Sequence, residues 1–376
     1  MAAALMLSKA GHDVTVFDQF SKPEPIGSGL VVQPVGLAVL KDLGLADAVL
    51  SRGHKIYKMF GTESDSARAV LNVDYGPEDG DTFGIGIHRA SLFDALYQAV
   101  KLSTVDVKGG QRIIATERAA SQRVLISEDG QSFGGFDLVI DAAGARSPLS
   151  PIKSSPLDYG ALWGTVAWPE TTSLSLGRLS QCYQKAHHMM GVLPLGTLPG
   201  SNIQSAAVFW SEPRKTLPEW YSGDLGAWKS KAISLWPAFE PFIDQINSHD
   251  DMTSASYSHG TLWRPFGENI VHIGDSAHQA SPQLGQGANM ALLDAQSLAR
   301  AIGEYNNIGL ALSQYAAARR YHVGLYQLFS SVFTPFYQSD SRVLPKLRDN
   351  VMNPVSQIWP VKPMLTRLVC GTLVQP

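Results

Sequence analysis

The stretch Asn269–Ile302, NIVHIGDSAHQASPQLGQGANMALLDAQSLARAI, is the most informative in the chain. Ile270 to Ile273 read as a buried strand. Gly274 lets the backbone pass close to a ligand or another segment. Asp275 leaves the strand end, where ligands bind in open α/β sheets, and its carboxylate can accept hydrogen bonds from sugar-type hydroxyls. Gly285, Gln286 and Gly287 then lead into a helix whose Ala291, Leu292, Ala295, Leu298 and Ala299 supply a packing face. A glycine-rich helix N-terminus offers free backbone N–H groups and a partial positive charge. That suits a phosphate, or an electron-rich ring carbonyl that becomes anionic on reduction. No Gly-Lys-Ser/Thr follows the glycines, so this is not a P-loop. No G-x-S-x-G precedes a helix, so it is not a serine-hydrolase elbow. Ser276, His278 and Ser281 crowd together, but neighbours in sequence are not a triad, and His278 reads as a loop histidine before it reads as a base.

At the other end of the chain, MAAALMLSKAGHDVTVFDQF (1–20) reads as helix, glycine, strand and acid. Met1 to Ala10 is the helix, Gly11 its left-handed terminator, Val14 to Phe17 the strand, and Asp18 the residue at its tip. This is the second half of a dinucleotide-binding βαβ unit. The acid of such a unit follows the glycine fingerprint by about 20 residues, which places the first strand and its G-x-G-x-x-G turn before Met1. The other reading is a surface helix followed by an ordinary strand with a solvated acid.

Between these ends, IGSGLVVQPVGLAVLKDLGL (26–45) is a glycine-rich loop and a helix with Leu37, Leu40 and Leu43 at roughly helical spacing. IHRASLFDALYQAV (87–100) is a second helix, and QRVLISEDGQSFGGFDLVI (122–140) is a hairpin turning at Asp129-Gly130 before a buried strand. From Tyr159 to Ser211, aromatic and β-rich segments follow one another without helices, which predicts an antiparallel sheet. A helix interrupted at Pro237 and Pro241 comes next. The fold class is therefore α/β: a Rossmann-like, doubly wound parallel-sheet domain (1–155 and 263–330), an inserted, mainly antiparallel β-sheet domain (156–262), and a helical C-terminus (331–376).

The 376 residues are 44% hydrophobic and 17% charged, with a formal net charge of −3. That suits a folded globular protein and gives no reason to expect nucleic acid as a partner. Cys182 and Cys370 form neither a metal pattern nor a disulfide framework. No apolar run reaches 18 residues, and the first eleven residues lack a basic leader. These points favour a cytoplasmic enzyme.

The order and spacing Gly274-Asp275, Ala277-His278, Pro282, Gly285-Gln286-Gly287, Asn289, Asp294-Ala295 resembles the second flavin-binding motif of the single-component FAD-dependent aromatic monooxygenases, the para-hydroxybenzoate hydroxylase superfamily. The resemblance implies that Asp275 binds the FAD ribityl chain, that Pro282 lies beside the flavin ring, that Gly287, Ala288 and Asn289 face its pyrimidine edge, and that Gly285 belongs to the same cofactor-binding set. It implies that Arg89 lies near the pyrophosphate and Asp18 at the adenosine ribose. The implied reaction uses NAD(P)H and O2 to hydroxylate an aromatic or apolar small molecule through a flavin C4a-hydroperoxide. Substrate would lie against the inserted sheet, with Trp168, Tyr183 and Trp210 as candidate contacts among other aromatic and Met residues. His187 and His188 are possible phenol partners. The family's middle motif has an Asp before its glycine, where this chain has Ala143 before Gly144; Asp141, two residues earlier on the strand, is a conceivable substitute. A chain without the first strand should bind FAD weakly or fold poorly. The C-terminal segment is expected to pack on the FAD domain rather than on a membrane. Two other readings remain: a flavoprotein reductase without oxygen insertion, and a non-catalytic remnant.

Overall fold

Helix α1 (Ala2–Lys9) buries Ala3, Ala4, Leu5 and Leu7, and Gly11 follows at φ +90°, the left-handed conformation that ends it. The computed structural model describes residues 1–21, 27–76 and 80–374; Ile26, which opens the glycine-rich loop, and the terminal Gln375 and Pro376 fall outside them. Strand β1 (Thr15–Phe17) comes next, then β2 (Gly29–Val32), α2 (Pro34–Asp42), β3 (Lys58–Glu63), β4 (Ala69–Asp74) and β5 (Gly84–His88). Helix α3 (Arg89–Lys101) leads to β6 (Asp106–Lys108), and the 122–136 hairpin to β7 (Val139–Asp141). The long strands are β8 (Ser155–Ala167), β9 (Arg178–Gln184), β10 (His188–Thr197), β11 (Gln204–Pro213) and β12 (Met252–Thr261), with α4 (Leu225–Leu235) before the last. The chain closes with β13 (Ile270–His272), β14 (His278–Gln279), α5 (Gly287–Glu304), α6 (Ile308–Tyr337) and α7 (Val361–Cys370).

The parallel part of the fold stands as two ladders. β1 pairs with β6, and β7 pairs with β13, whose outer edge carries the short antiparallel strand Phe266–Gly267. The inserted sheet has eight strands in the order β14-β12-β8-β11-β10-β9-β3-β4. Every pair in it is antiparallel except β9–β3. It therefore takes in β3 and β4 from the stretch assigned by sequence to the first FAD-domain part, because β9 finds its second ladder partner there.

Both faces of this sheet are covered. One face, with Leu162, Cys182, Met190, Val208 and Trp210, packs on α4 and on Phe239, Phe242 and Ile243. The other, with Leu193, Ala207 and Phe209, packs on Val31, Tyr75 and the end of α7. Gly29 and Gly86 permit the close approach of this second face. A Cβ on Gly29 would run into Leu195, and one on Gly86 into the Pro194 carbonyl. The sheet is thereby pressed against the β2–β5 ribbon of the FAD-side domain.

Candidate cofactor site

Three chain segments converge where β13 ends. Gly274 adopts φ +61°, and a Cβ there would stand 3.2 Å from Ala291 of α5, so glycine lets the turn lie against that helix. Its N–H donates to Asp294 Oδ2 at 2.8 Å, and the same oxygen accepts from His278 Nε2 at 2.6 Å. Asp294 Oδ1 accepts from Arg319 Nε of α6 at 2.8 Å. One buried carboxylate thus pins the backbone on both sides of Asp275. Three charge-assisted donors hold the Asp294 carboxyl down to about 2 despite its burial. His278 is accordingly a buried structural partner.

Asp275 itself stands exposed between buried Gly274 and Ser276. Its recess still desolvates the carboxylate, which raises its pKa; His278 and Arg89 pull it down and Asp294 pushes it up. Among the described residues no donor reaches this carboxylate. Arg89 is the first residue of α3; its own N–H donates to the Ser28 carbonyl and that of Ala90 to His88 Nδ1, so the guanidinium is the positive group this helix start offers. Its side chain lies along Gly27, and it has no ion-pair partner among the described residues. Tyr257 of β12 also feels the Arg89 charge and accepts from Trp163 Nε1 at 2.8 Å, while the Trp163 ring lies 4.8 Å from Phe209.

The 282–289 run completes the mouth of this recess. Ser281 Oγ accepts from Gln283 N, Pro282 opens a single turn, and Gly285 closes it in the left-handed conformation at φ +60°. Gly287 is exposed, and a Cβ on it would meet nothing within 4 Å. It opens α5 into free space, next to Ala288. Asn289 is fully buried: its Oδ1 accepts from Gln33 N at 2.8 Å and its Nδ2 donates to the Val31 and Gly285 carbonyls. Its side chain therefore clamps β2 and α2 to the α5 mouth, leaving only its backbone for a ligand. Asp18, at the tip of β1, accepts from Phe20 N at 2.8 Å with one carboxylate oxygen.

Other expectations need correction. Trp168 and Trp210 lie on the far face of the inserted sheet: Trp210 is buried against Trp228, and Trp168 packs edge-on to Phe242. Strand alternation sends Trp210 away from the cofactor side while its neighbour Phe209 faces it. Tyr183 is on the cofactor-side face, but its hydroxyl donates to Gln181 and its ring packs on Tyr337 and Arg348. His188 is buried on the far face beside Lys231, where desolvation and that ammonium push its pKa down to about 4. His187 bonds Asp340 and the Tyr159 hydroxyl. Asp141 is no substitute for the residue that Ala143 replaces. Its carboxylate is consumed by His272 Nδ1 at 2.7 Å, Ser147 Oγ at 2.7 Å and the Ala143 N–H at 3.1 Å. Asp294 stands in the spaced motif, but its role as the buried acceptor for Gly274, His278 and Arg319 emerges only in three dimensions, and Tyr257 and Arg319 carry no signal in local spacing.

Among the described residues, the unpartnered Asp275 carboxylate, the unpartnered Arg89 guanidinium and the exposed start of α5 lie between the parallel α/β ladders and the inserted sheet, an arrangement whose chemistry suits a dinucleotide. Residues 178–323 match the family model described as FAD binding domain. The chain is 28% identical to the FAD-dependent monooxygenase opaC of Aspergillus ustus, over 85% of this chain and 75% of that protein. It is 23% identical to the FAD-dependent urate hydroxylase of Klebsiella pneumoniae, over 85% and 83%. Its fold superposes on the crystal structure of Klebsiella pneumoniae HpxO complexed with FAD and uric acid with a TM-score of 0.81 at 19% identity, covering 99% of this chain and 93% of that one. The chain thus carries the match to an FAD binding domain over 178–323, and most of its length is similar to FAD-dependent monooxygenases and hydroxylases.

Proposed function

We propose that this chain binds FAD between Arg89, Asp275 and the Pro282–Asn289 turn, and hydroxylates a small aromatic or otherwise apolar molecule with NAD(P)H and O2. The observation that carries the reading is the Asp275 carboxylate, fixed by hydrogen bonds on either side yet itself unpartnered in a recess. It would accept hydrogen bonds from the ribityl hydroxyls. Arg89 would neutralise the pyrophosphate, and Asp18 would take the adenosine ribose. The N-terminus of α5 would favour negative charge on the pyrimidine edge of the ring. FAD, once bound, supplies the electron transfer and the oxygen chemistry. Trp163, Phe209 and Tyr257 offer the nearest aromatic wall for substrate, replacing the far-face pair Trp168 and Trp210 in that role. No acid–base side chain is assigned.

The test is to add FAD to the purified chain, then measure NADH and NADPH oxidation with a panel of aromatic acids, purines and quinolones while following oxygenated product. Substrate-stimulated oxidation with stoichiometric hydroxylated product supports the proposal. NAD(P)H consumption that yields only a reduced substrate favours the reductase reading, and a chain that never acquires flavin favours the remnant.

A further inference from the structure

The chain carries a net charge of −3, but its charge is unevenly placed. Between Ser341 and Leu373 there are Arg342, Lys346, Arg348, Lys362 and Arg367 against one acid, Asp349. Asp349 is spent on buried Arg348, and Lys362 is paired with Asp74. Arg342, Lys346 and Arg367 remain exposed and unpaired among the described residues.

The same segment presents an apolar stripe. Residues 344–356 are a continuous run of helical turns. Along and just beyond it, Val343, Leu347, Val351, Val355 and Trp359 recur every four residues, all exposed, with Trp359 at 84%. This is no loose tail. Arg348 Nη1 donates to the Lys185 and Phe336 carbonyls, Asn353 to Ala69 O, Gln357 to Asn72 O and Thr366 to Asp74 O. The end of α7 is capped by Tyr326, Gln286 and His322, which donate to the carbonyls of Leu368, Val369 and Gly371. One face is held firmly on the protein while the other keeps valine, leucine and tryptophan in water.

We propose that this face docks on an anionic lipid surface, with the stripe and Trp359 entering the headgroup boundary and Arg342, Lys346 and Arg367 meeting lipid phosphates. Charge selects this occupant over a second copy of the chain. A two-fold dimer through the stripe would set the same unpaired cations against themselves. Among the described residues no helix is long and apolar enough to cross a membrane, so the segment would lie along the surface.

The test is flotation of the full chain with vesicles of phosphatidylcholine alone or with phosphatidylglycerol, at low and high salt. It needs neither cofactor nor substrate. We expect flotation only with anionic vesicles, lost at high salt, with a blue shift in emission that Trp359→Phe abolishes. Replacing Arg342 and Lys346 by Gln should weaken partitioning by about fivefold for each charge removed. The double change Val351→Glu with Trp359→Glu, both at exposed positions, should abolish flotation without altering the thermal unfolding curve. Absence of binding to anionic vesicles, equal binding to neutral ones, or undiminished binding by the Glu variant overturns the proposal. So does a wild-type dimer that the Glu variant converts to monomer, which would assign the face to a second copy.

Discussion

Replacing Asp294 by Asn should destabilise the fold far more than the near-identity of the side chains implies. Asp294 Oδ2 accepts from Gly274 N and His278 Nε2, and Oδ1 accepts from Arg319 Nε, with Asp294 wholly buried and Arg319 nearly so. An Asn has one acceptor oxygen, so its NH2 must face either Arg319 or the Gly274–His278 pair. Leaving a buried charge without its counter-charge costs about 3–5 kcal/mol. A donor turned toward donors costs about 1–3 kcal/mol. The two overlap, and about 4 kcal/mol is a fair sum, a large share of the ~5–15 kcal/mol that holds a domain together. Urea unfolding followed by circular dichroism reads the change as a shift in midpoint. Arg319→Met alone should also be costly. The double variant should lose at least about 2 kcal/mol less than the two single losses combined, because it removes both halves of the buried pair. A loss below about 1 kcal/mol for Asp294→Asn, or strict additivity in the cycle, would refute the pinning of the 274–278 turn by this carboxylate.

Two further outcomes follow from the same geometry. Trp210→Leu should lower stability by about 2–4 kcal/mol while leaving substrate KM unchanged, whereas Trp163→Leu should raise KM with a smaller loss of stability; thermal unfolding beside steady-state kinetics separates them, and a Trp210 effect confined to KM would contradict the face assignment. His188 and His322 are buried and each held down to about 4 from an ordinary value near 6.5, by desolvation reinforced by Lys231 and Arg319 respectively. The unfolded chain therefore binds more protons between these values, so stability should be full above pH 6.5 and fall as pH drops toward 4; melting temperatures that stay flat between pH 4.5 and 7 would count against it.

Much of the cofactor region was legible because it is written in local signals. The αL glycine at Gly11, the strand-to-Asp275 exit and the glycine entry to α5 depend on neighbours within a few residues. The faces of the inserted sheet were not legible. A half-exposed strand alternates polar and apolar residues, but β10 is buried continuously from His188 to Gly196 and β11 from Ser205 to Ser211. With both faces covered, the two-residue period disappears, and nothing local tells Phe209 from Trp210. The Asp294 cluster was hidden for another reason. Its members come from the β13 exit, α5 and α6, and only the packing of α5 on α6 brings them together. Asp141 failed as a substitute for the missing acid because strand parity says which side a carboxylate faces, not whether His272 has already claimed it.

The most direct measurement is FAD affinity, read by flavin fluorescence quenching, for the unaltered chain, Asp275→Ala and Asp275→Asn, alongside their unfolding curves. Loss of a charged acceptor that ligand hydroxyls rely on costs about 1.5–3 kcal/mol, or roughly 10- to 100-fold in Kd. We expect that loss with Asp275→Ala, a smaller one with Asn, and unfolding curves that match the unaltered chain, since among the described residues none hydrogen-bonds or ion-pairs with this side chain. FAD bound equally well by all three would contradict the claim that the Asp275 carboxylate and the mouth of α5 grip the flavin.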